Sequence, residues 1–373
     1  MLFRSLSASE LVEAYRRKSL SPVEATRAVL ARIEALNPQL NAFVLIDAEG
    51  ALETARASES RWAKGAPQGA LDGVPASIKD IILTKGWPTL RGSKLVDRNH
   101  PWEEDAPATA RLRETGAVIL GKTTTPEFGW KALGDSPLTG VTRNPWNLER
   151  TPGGSSAGAV AHVAAGMGPL AVGTDGGGSI RIPSSFSGIV GIKPTFGRVP
   201  AYPLSPFGIV AHVGPMTRTV PDCALMLDVL SGYDDRDPWA VPGRPSVAGD
   251  LDKGIKGLHI AYSPTLGYGR VDPEVREAVD RAAKVFADLG AAVDTVDPGF
   301  ANPRDAFMVL WTTGAAKVLS AFTPEQQAKI DPGLVASARF GATKSAVDWY
   351  NADAVRNGLI DTMTDRKSTR LNS

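Results

Sequence analysis

Cysteine is nearly absent from this 373-residue chain, which contains only Cys223. A single cysteine excludes an internal disulfide. The N-terminal stretch MLFRSLSASELVEAYRRK has the pattern of an amphipathic helix rather than of a secretion signal. The sequence therefore predicts a cytoplasmic protein. Cys223 lies in the helical pattern PDCALMLDVL, which indicates a buried helix residue rather than a nucleophile.

Histidine, excess charge and long apolar runs are also scarce. The four histidines, His100, His162, His212 and His259, do not stand at zinc-ligand spacing from one another or from cysteine or carboxylates, so we expect no metal site. Lysine and arginine (41) nearly balance aspartate and glutamate (40), and the net charge of +1 argues against a nucleic-acid surface. No apolar run approaches the roughly 20 residues that span a bilayer, so membrane insertion is not expected.

Two short motifs match known enzyme patterns in the wrong context. GAVILGKT, from Gly116 to Thr123, fits the phosphate-binding P-loop, but its apolar strand lies inside the pattern, where the amides cannot curl around a phosphate. GSSAG fits the nucleophile elbow with Ser156 at its centre and His212 and His259 downstream. The polar, proline-broken stretch before it offers no strand, and both histidines lie in apolar runs typical of structural histidines. We therefore predict neither activity.

Short apolar segments alternate with helical patterns along the chain. Capping boxes at Ser7–Glu10 and Ser21–Glu24 predict N-terminal helices. Strands are expected at Val74–Ile78, Val118–Leu120, Leu170–Val172 and Leu258–Ala261, and further helices at Ala106–Glu114, Ala157–Ala165, Val220–Leu230 and Pro273–Leu289. This alternation predicts an α/β fold whose sheet is covered by helices on both faces.

Most of the chain is predicted to be one large domain, residues 1–364, with a weak boundary near 233–252. A strand-helix-strand unit is expected after that boundary, from Leu258 to Val296. The last nine residues, DRKSTRLNS (365–373), resemble the translation of a sequencing-adapter oligonucleotide. We therefore expect them to be extraneous, and the natural protein to continue beyond Thr364 and to complete the C-terminal part of the sheet.

Three polar stretches remain as candidates for a catalytic site: LDGVPASIKDI around Lys79, RTPGGSSAGA around Ser155 and GTDGGGSIRIP around Ser179. A serine nucleophile needs a base and amide donors for the oxyanion. The glycines at 176–178 lack a Cβ and can turn consecutive N–H groups into one concavity. Lysine can serve as the base if burial lowers its pKa by about 3 units. On the residues alone, an ion pair between Lys79 and Asp80 on a solvated rim is an open alternative.

Taken together, these stretches resemble the amidase signature family. The similarity runs through most of residues 70–230, in the family's order, with the motifs GVPASIKD, GAVILGKTTTPEF, NPWNLERTPGGSSAGA, GTDGGGSIRIPSSFSGIVGIKPTFGRV and GPMTRTVPDCALML. The resemblance implies an amide hydrolase that uses a serine, cis-serine, lysine triad. It also implies a single large α/β domain with a mixed sheet, and no cofactor.

The resemblance assigns roles by position. Ser179 would be the nucleophile that forms an acyl-enzyme, Ser155 the bridging serine in a cis peptide, and Lys79 the base. The implied oxyanion hole consists of the amides of Gly176, Gly177, Gly178 and Ser179, and the implied supporting polar residues are Ser156, Asp175 and Arg181. The expected partner is a small-molecule amide, and homodimerisation is left open.

Two departures from the family pattern bear on the activity. Ala157 stands at a position of the GGSSGG stretch where glycine is the commonest residue. Ile182 stands where the tRNA-dependent subunit more often has glutamine. The second departure favours a stand-alone amidase. The alternatives are the A-subunit of a glutamine-dependent amidotransferase, which acts on mischarged tRNA with partner chains, and a non-catalytic truncated fragment. The amide itself is not identified, and Trp130, Phe207 and Trp311 are candidates for lining the acyl pocket.

Overall fold

A computed structural model describes residues 5–243 and 246–369 of the chain, the last five as backbone only. The helices are α1 (Ala8–Arg16), α2 (Pro22–Leu40), α3 (Ala48–Ala63), α4 (Pro107–Glu114), α5 (Ala157–Ala164), α6 (Arg181–Ser187), α7 (Val220–Leu230), α8 (Pro273–Asp288), α9 (Arg304–Leu319), α10 (Pro324–Gln327), α11 (Pro332–Gly341) and α12 (Ala346–Thr369). The strands are β1 (Phe43–Ile46), β2 (Pro75–Lys79), β3 (Val118–Thr123), β4 (Asp135–Ser136), β5 (Gly140–Val141), β6 (Leu170–Asp175), β7 (Val190–Gly191), β8 (His212–Thr217), β9 (His259–Tyr262) and β10 (Ala292–Thr295).

The chain divides into two compact units. The first unit holds the residues up to Ala248 together with Lys317–Ala336, and the second holds Gly249–Ala316 and the residues from Ser337 onward. The division after Ala248 falls inside the segment 233–252, where the composition suggests a boundary.

The first unit is built on a six-stranded mixed sheet in the order β1-β3-β2-β6-β8-β7. The three strands β3, β2 and β6 run parallel, whereas β1, β8 and β7 each pair antiparallel with their neighbours. On β3, Val118 and Leu120 pack with apolar residues of α2 and α3, while Ile119 belongs to a cluster with residues of α1, α4 and α7. Because both sides of the strand are covered, the predicted α/β fold with a mixed sheet flanked by helices is confirmed.

The N-terminal helices begin where the capping boxes predict. In α1 the Ser7 hydroxyl accepts from the Glu10 amide, and the Glu10 carboxylate accepts from the Ser7 amide. In α2 the same reciprocal pair joins Ser21 and Glu24, and Pro22 occupies the first helical position. These contacts satisfy amides that a helix N-terminus leaves without an intrahelical partner.

The strands that carry polar residues end later than the apolar pattern predicts. β2, β3 and β6 extend one to three residues beyond the predicted C-terminal limits, and they therefore include Lys79, Thr123 and Asp175. Helix α7 has the predicted bounds. The sequence pattern did not identify β8, because Gly214 and Pro215 interrupt its apolar run.

The second unit contains the strand-helix-strand arrangement expected between Leu258 and Val296. β9 and β10 pair in parallel, with His259 beside Ala292, and α8 supplies the crossover that parallel pairing requires. Of the segment 365–373 that the sequence marks as extraneous, α12 includes the part up to Thr369, and the rest lies outside the described residues. No helix within the described ranges is both long and apolar enough to cross a membrane.

Candidate active site

Strands β2 and β6 and helix α5 bring polar side chains together in the first unit. β2 and β6 are adjacent parallel strands, so their carboxyl ends lie at the same edge of the sheet. Lys79 is the last residue of β2, Asp175 is the last of β6, and Ser156 immediately precedes α5. This edge is where ligands bind in open α/β sheets.

Lys79 is fully buried and its side-chain nitrogen contacts three hydroxyl groups. Nζ lies 2.7 Å from Ser155 Oγ, 3.1 Å from Ser156 Oγ and 2.8 Å from Thr174 Oγ1. Within the described part of the chain, no carboxylate forms an ion pair with this nitrogen. A lysine with hydroxyl partners and no counter-ion can release its proton more easily than an ion-paired lysine.

The electrostatic setting of Lys79 favours the neutral amine. Burial lowers the pKa of Lys79 to about 7, because water no longer solvates the ammonium group, and the charge of Asp175 opposes this shift only in part. Neighbouring Asp80 lies 3.7 Å from Lys122 Nζ, and this pair is buried. The alternative of an ion pair between Lys79 and Asp80 on a solvated rim is therefore wrong.

Thr174 is a contact of Lys79 that the sequence analysis missed. The register of the sheet, in which Ile78 of β2 pairs with Val172 of β6, brings Thr174 near the end of β2. The available signal was the position of Thr174 directly before Asp175 and the glycines, just after the predicted strand Leu170–Val172. The predicted limit of that strand at Val172 left Thr174 outside it.

The serines Ser155 and Ser156 form the turn that enters α5. The peptide bond between Gly154 and Ser155 is cis, the geometry that the resemblance implies. A Cβ at Gly154 would overlap the carbonyl oxygen of Leu133, so the backbone needs glycine there. The Ser156 amide donates to the Ser179 carbonyl at 3.2 Å. The backbone that follows Ser155, the predicted relay, is therefore hydrogen-bonded to the backbone of Ser179, the predicted nucleophile.

Asp175 organises the glycine-rich turn that follows β6. Its carboxylate accepts from the amides of Gly178 at 2.8 Å and Ile180 at 3.1 Å, and the Arg181 guanidinium binds both carboxylate oxygens at 2.8 and 2.9 Å. Burial opposes ionisation of Asp175, but these hydrogen bonds and the charge of Arg181 outweigh it and lower the pKa to about 2. The turn is therefore held by an ionised carboxylate.

The same turn offers amide donors for a negative charge. Among the hydrogen bonds of the described residues, none is donated by the amides of Gly176, Gly177 or Ser179. The amide of Gly178 donates to Asp175 instead, which removes it from the set that the resemblance implies. Ser179 is 7% exposed, so the residue is largely buried.

The misleading motifs are accounted for by the fold. The last six residues of GAVILGKT form β3, which excludes a phosphate loop. Ser156 follows no strand, and its hydroxyl donates to the Thr174 carbonyl at 3.2 Å. The His212 ring contacts the carbonyl of Val210 at 2.8 Å, and His259 is exposed on β9. Neither histidine pairs with Ser156 in the described hydrogen bonds.

The remaining candidate residues lie in both units. Cys223 is fully buried on α7, where desolvation raises the thiol pKa to about 11, so the prediction of a buried helix residue is confirmed. Trp130 and Phe207 belong to the first unit and Trp311 to the second. Trp130 follows Gly129, at which a Cβ would lie 3.3 Å from Ser155 Oγ. Of the three aromatic candidates, Trp130 is therefore next in the chain to a residue that contacts the site.

A buried lysine among serine hydroxyls, beside free amides at the edge of an α/β sheet, is the kind of site that serine hydrolases with a lysine base use. The model of one family, the amidases, matches residues 24–354. The chain therefore belongs to the amidase family and is an amide-hydrolysing enzyme.

Individual relatives agree with this assignment. The chain is 40% identical over 363 residues to an acylamidase of Rhodococcus erythropolis, covering 96% of this chain and 76% of the relative. It is 44% identical over 293 residues to the A-subunit of the glutamyl-tRNA(Gln) amidotransferase of Geobacter metallireducens, covering 77% of this chain and 59% of that relative. Among solved structures, a bacterial aryl acylamidase of the amidase signature family matches with a TM-score of 0.90 and 33% identity, over 96% of this chain and 77% of that one.

Proposed function

We propose that the chain hydrolyses a small carboxylic amide to the acid and ammonia or an amine, through an acyl-enzyme on Ser179. Lys79 is the base and Ser155 relays the proton. The observation that carries this proposal is the contact of the fully buried Lys79 amine with Ser155 Oγ at 2.7 Å. A lysine whose pKa lies near 7 can act as a general base at neutral pH.

The proposed reaction starts from the contact between Lys79 and Ser155. Neutral Lys79 takes the proton of the Ser155 hydroxyl, Ser155 takes that of Ser179, and the Ser179 oxygen attacks the amide carbonyl carbon. The amides of Gly176, Gly177 and Ser179 stabilise the negative charge on the carbonyl oxygen. When the C–N bond breaks, the proton returns through Ser155 to the leaving nitrogen. Water then attacks the ester by the same route and releases the acid.

The A-subunit of an amidotransferase is the second candidate function, because relatives of that name match the chain at up to 44% identity. Ile182 favours the stand-alone amidase. A Cβ at Gly178 would lie 2.6 Å from Ile182 Cδ1, so an apolar side chain packs against the glycine turn. The resemblance gives glutamine at this position more often in the tRNA-dependent subunit.

Ammonia release separates the candidates. The isolated chain, without added partner chains or cofactor, is assayed against aliphatic, aromatic and indolic amides and against glutamine. Hydrolysis of a simple amide in preference to glutamine supports the proposal. We also propose that the enzyme is cytoplasmic and needs no nucleic acid. Glutaminase activity that depends on partner chains supports the amidotransferase. No release from any amide supports the non-catalytic alternative.

The Thr174→Val variant is expected to shift the pH dependence of hydrolysis. The Thr174 hydroxyl accepts from Lys79 Nζ and stabilises the ammonium form, so its loss lowers the pKa of Lys79 further. One hydrogen bond is worth about 0.5–1.5 kcal/mol, and the acid limb of kcat/KM should move down by about half to one pH unit from its position near 7. A pH-rate profile of both proteins measures this shift, and an unmoved or raised midpoint contradicts it.

A further inference from the structure

A second polar contact joins β2 to α5, away from the reacting groups. Ser77 Oγ lies 2.7 Å from His162 Nε2, and both residues are fully buried. No step of the reaction uses this pair. A buried polar pair costs desolvation free energy that its hydrogen bond recovers only in part, so a bulkier apolar pair would hold the two elements at least as firmly.

The pair stands on the same face of β2 as the proposed base. Ser77 and Lys79 are two residues apart on a strand, so their side chains point to the same side of the sheet. On the helix side, Ser156 and His162 are six residues apart, which is about 9 Å along the axis. Helix α5 is thus linked to one face of β2 at its N-terminal end through Lys79 and near its C-terminal end through His162.

The His162 contact is directional. Nδ1 faces the Met167 carbonyl at 3.4 Å, and because a carbonyl can only accept, we assign the ring proton to Nδ1. Nε2 is then the acceptor for the Ser77 hydroxyl. Burial lowers the pKa of His162 to about 3, so the ring stays neutral at all working pH values.

The rest of α5 offers few large side chains to fix its position. Its sequence, AGAVAHVA, contains small apolar residues apart from two valines and His162. Gly158 is so close to the Ala42 carbonyl that a Cβ would overlap it, and its amide donates to the Thr124 carbonyl at 3.1 Å. These contacts hold the N-terminal turn. At the far end, buried Ala161 and Val163 pack in apolar clusters, and His162 adds the side-chain hydrogen bond to β2.

We propose that Ser77 and His162 are positioning residues of the active site, whose hydrogen bond fixes α5 against β2 and thereby holds Ser155 and Ser156 at hydrogen-bond distance from Lys79. This inference rests on the proposed function. It explains why a polar pair occupies a fully buried place beside the site. Removing the bond should slow chemistry more than it weakens substrate binding, because a misplacement of about 1 Å can cost about a hundredfold in rate.

The test uses the full chain and an alkyl fluorophosphonate, a probe whose reaction needs no knowledge of the natural substrate. The Ser179 oxygen attacks phosphorus, fluoride leaves, and the hydroxyl proton passes to the base. Intact mass and peptide mapping give the site and the second-order rate of labelling. Ser77→Ala is compared with Ser77→Thr, which keeps the hydroxyl, and with Thr109→Val, which removes a hydrogen bond of another fully buried residue, the 2.8 Å contact to the Leu83 carbonyl.

Ser77→Ala is expected to label about tenfold to a hundredfold more slowly, with Ser77→Thr restoring most of the rate and Thr109→Val staying within about twofold of the parent. With an amide substrate, kcat should fall and KM should change little. In a His162→Leu background, Ser77→Ala should cause no further loss, because the bond is already gone.

Two results overturn the proposal in different ways. If the parent protein is labelled at Ser179 and Ser77→Ala is labelled at the same rate, the pair is only structural, and the proposed function stands. If the parent protein is not labelled at Ser179, the proposed function fails and the positioning role fails with it. Thermal unfolding of each variant shows that the folded protein is being compared.

Discussion

Ser179→Ala is expected to lower kcat/KM for amide hydrolysis by about 10⁴-fold or more. Without the hydroxyl no acyl-enzyme forms, and only the amide donors and substrate binding remain to assist direct attack by water. The residue is largely buried, at 7% exposed, and the substitution removes a single oxygen without adding volume, so the fold should remain intact. Ammonia release by the two proteins, measured on the best amide of the panel, checks this result.

The matched control for this variant is Ser185→Ala, an exposed serine six residues further along, on α6. It changes the same atoms at a place that has no part in the proposed reaction, and full activity is expected. A Ser179→Ala protein that melts like the parent and keeps a substantial part of its activity would remove Ser179 from the role of nucleophile. The assignment of Lys79 and Ser155 would then have to be abandoned as well, because both act on the Ser179 hydroxyl.

Local patterns were sufficient to predict several helices of the first unit. The capping boxes at Ser7 and Ser21 and the apolar periodicity of α7 depend on neighbours a few residues away, and the structure has them where the sequence indicates. The polar ends of β2 and β6 were harder to predict, since a lysine or a threonine at a strand end can face either solvent or the interior. Only the helices packed on the sheet decide this, and they bury Lys79 completely.

The sequence analysis also did not predict that a side chain would bind one of the amides of the glycine-rich turn. Three glycines before Ser179 suggest three free amides, but Asp175 lies close enough to take that of Gly178. A short acidic side chain often accepts from an amide two or three residues ahead, so the pattern itself contained the signal. The sequence offers no means of choosing which of the three amides the carboxylate binds, because this depends on the path of the turn.

The carboxylates around the site are neutralised by partners other than Lys79. Asp80 is paired with buried Lys122, and Asp175 is bound through both oxygens by Arg181. A carboxylate without such a partner would attract the proton of a nearby lysine and raise its pKa. The two pairs therefore leave Lys79 with hydroxyl contacts, which is the condition for a neutral base at pH 7.

Lys79→Met is expected to slow hydrolysis strongly and yet to cost little stability at neutral pH. Removal of a general base costs about 10²- to 10⁴-fold in rate. The folded pKa of Lys79 is lowered from 10.5 to about 7. Below pH 7 this shift destabilises the folded state by about 5 kcal/mol, because the unfolded chain keeps the proton more readily. Methionine removes this destabilisation because it carries no charge. It also leaves Ser155, Ser156 and Thr174 without their amine partner, which costs about 1–3 kcal/mol each where no other contact replaces it.

The sign of the pH dependence gives the sharper test. Between pH 7 and 10 the unfolded parent chain binds the Lys79 proton and the folded one does not, so the free energy of unfolding should rise with pH by up to about 1.4 kcal/mol per unit. Lys79→Met should lack this rise, and the difference between the two proteins should move steadily in favour of the parent as the pH increases. Urea unfolding of both proteins at four pH values measures it. If the free energies of unfolding of the two proteins change with pH in parallel, Lys79 keeps its proton in the folded protein. Lys79 would then not be the base.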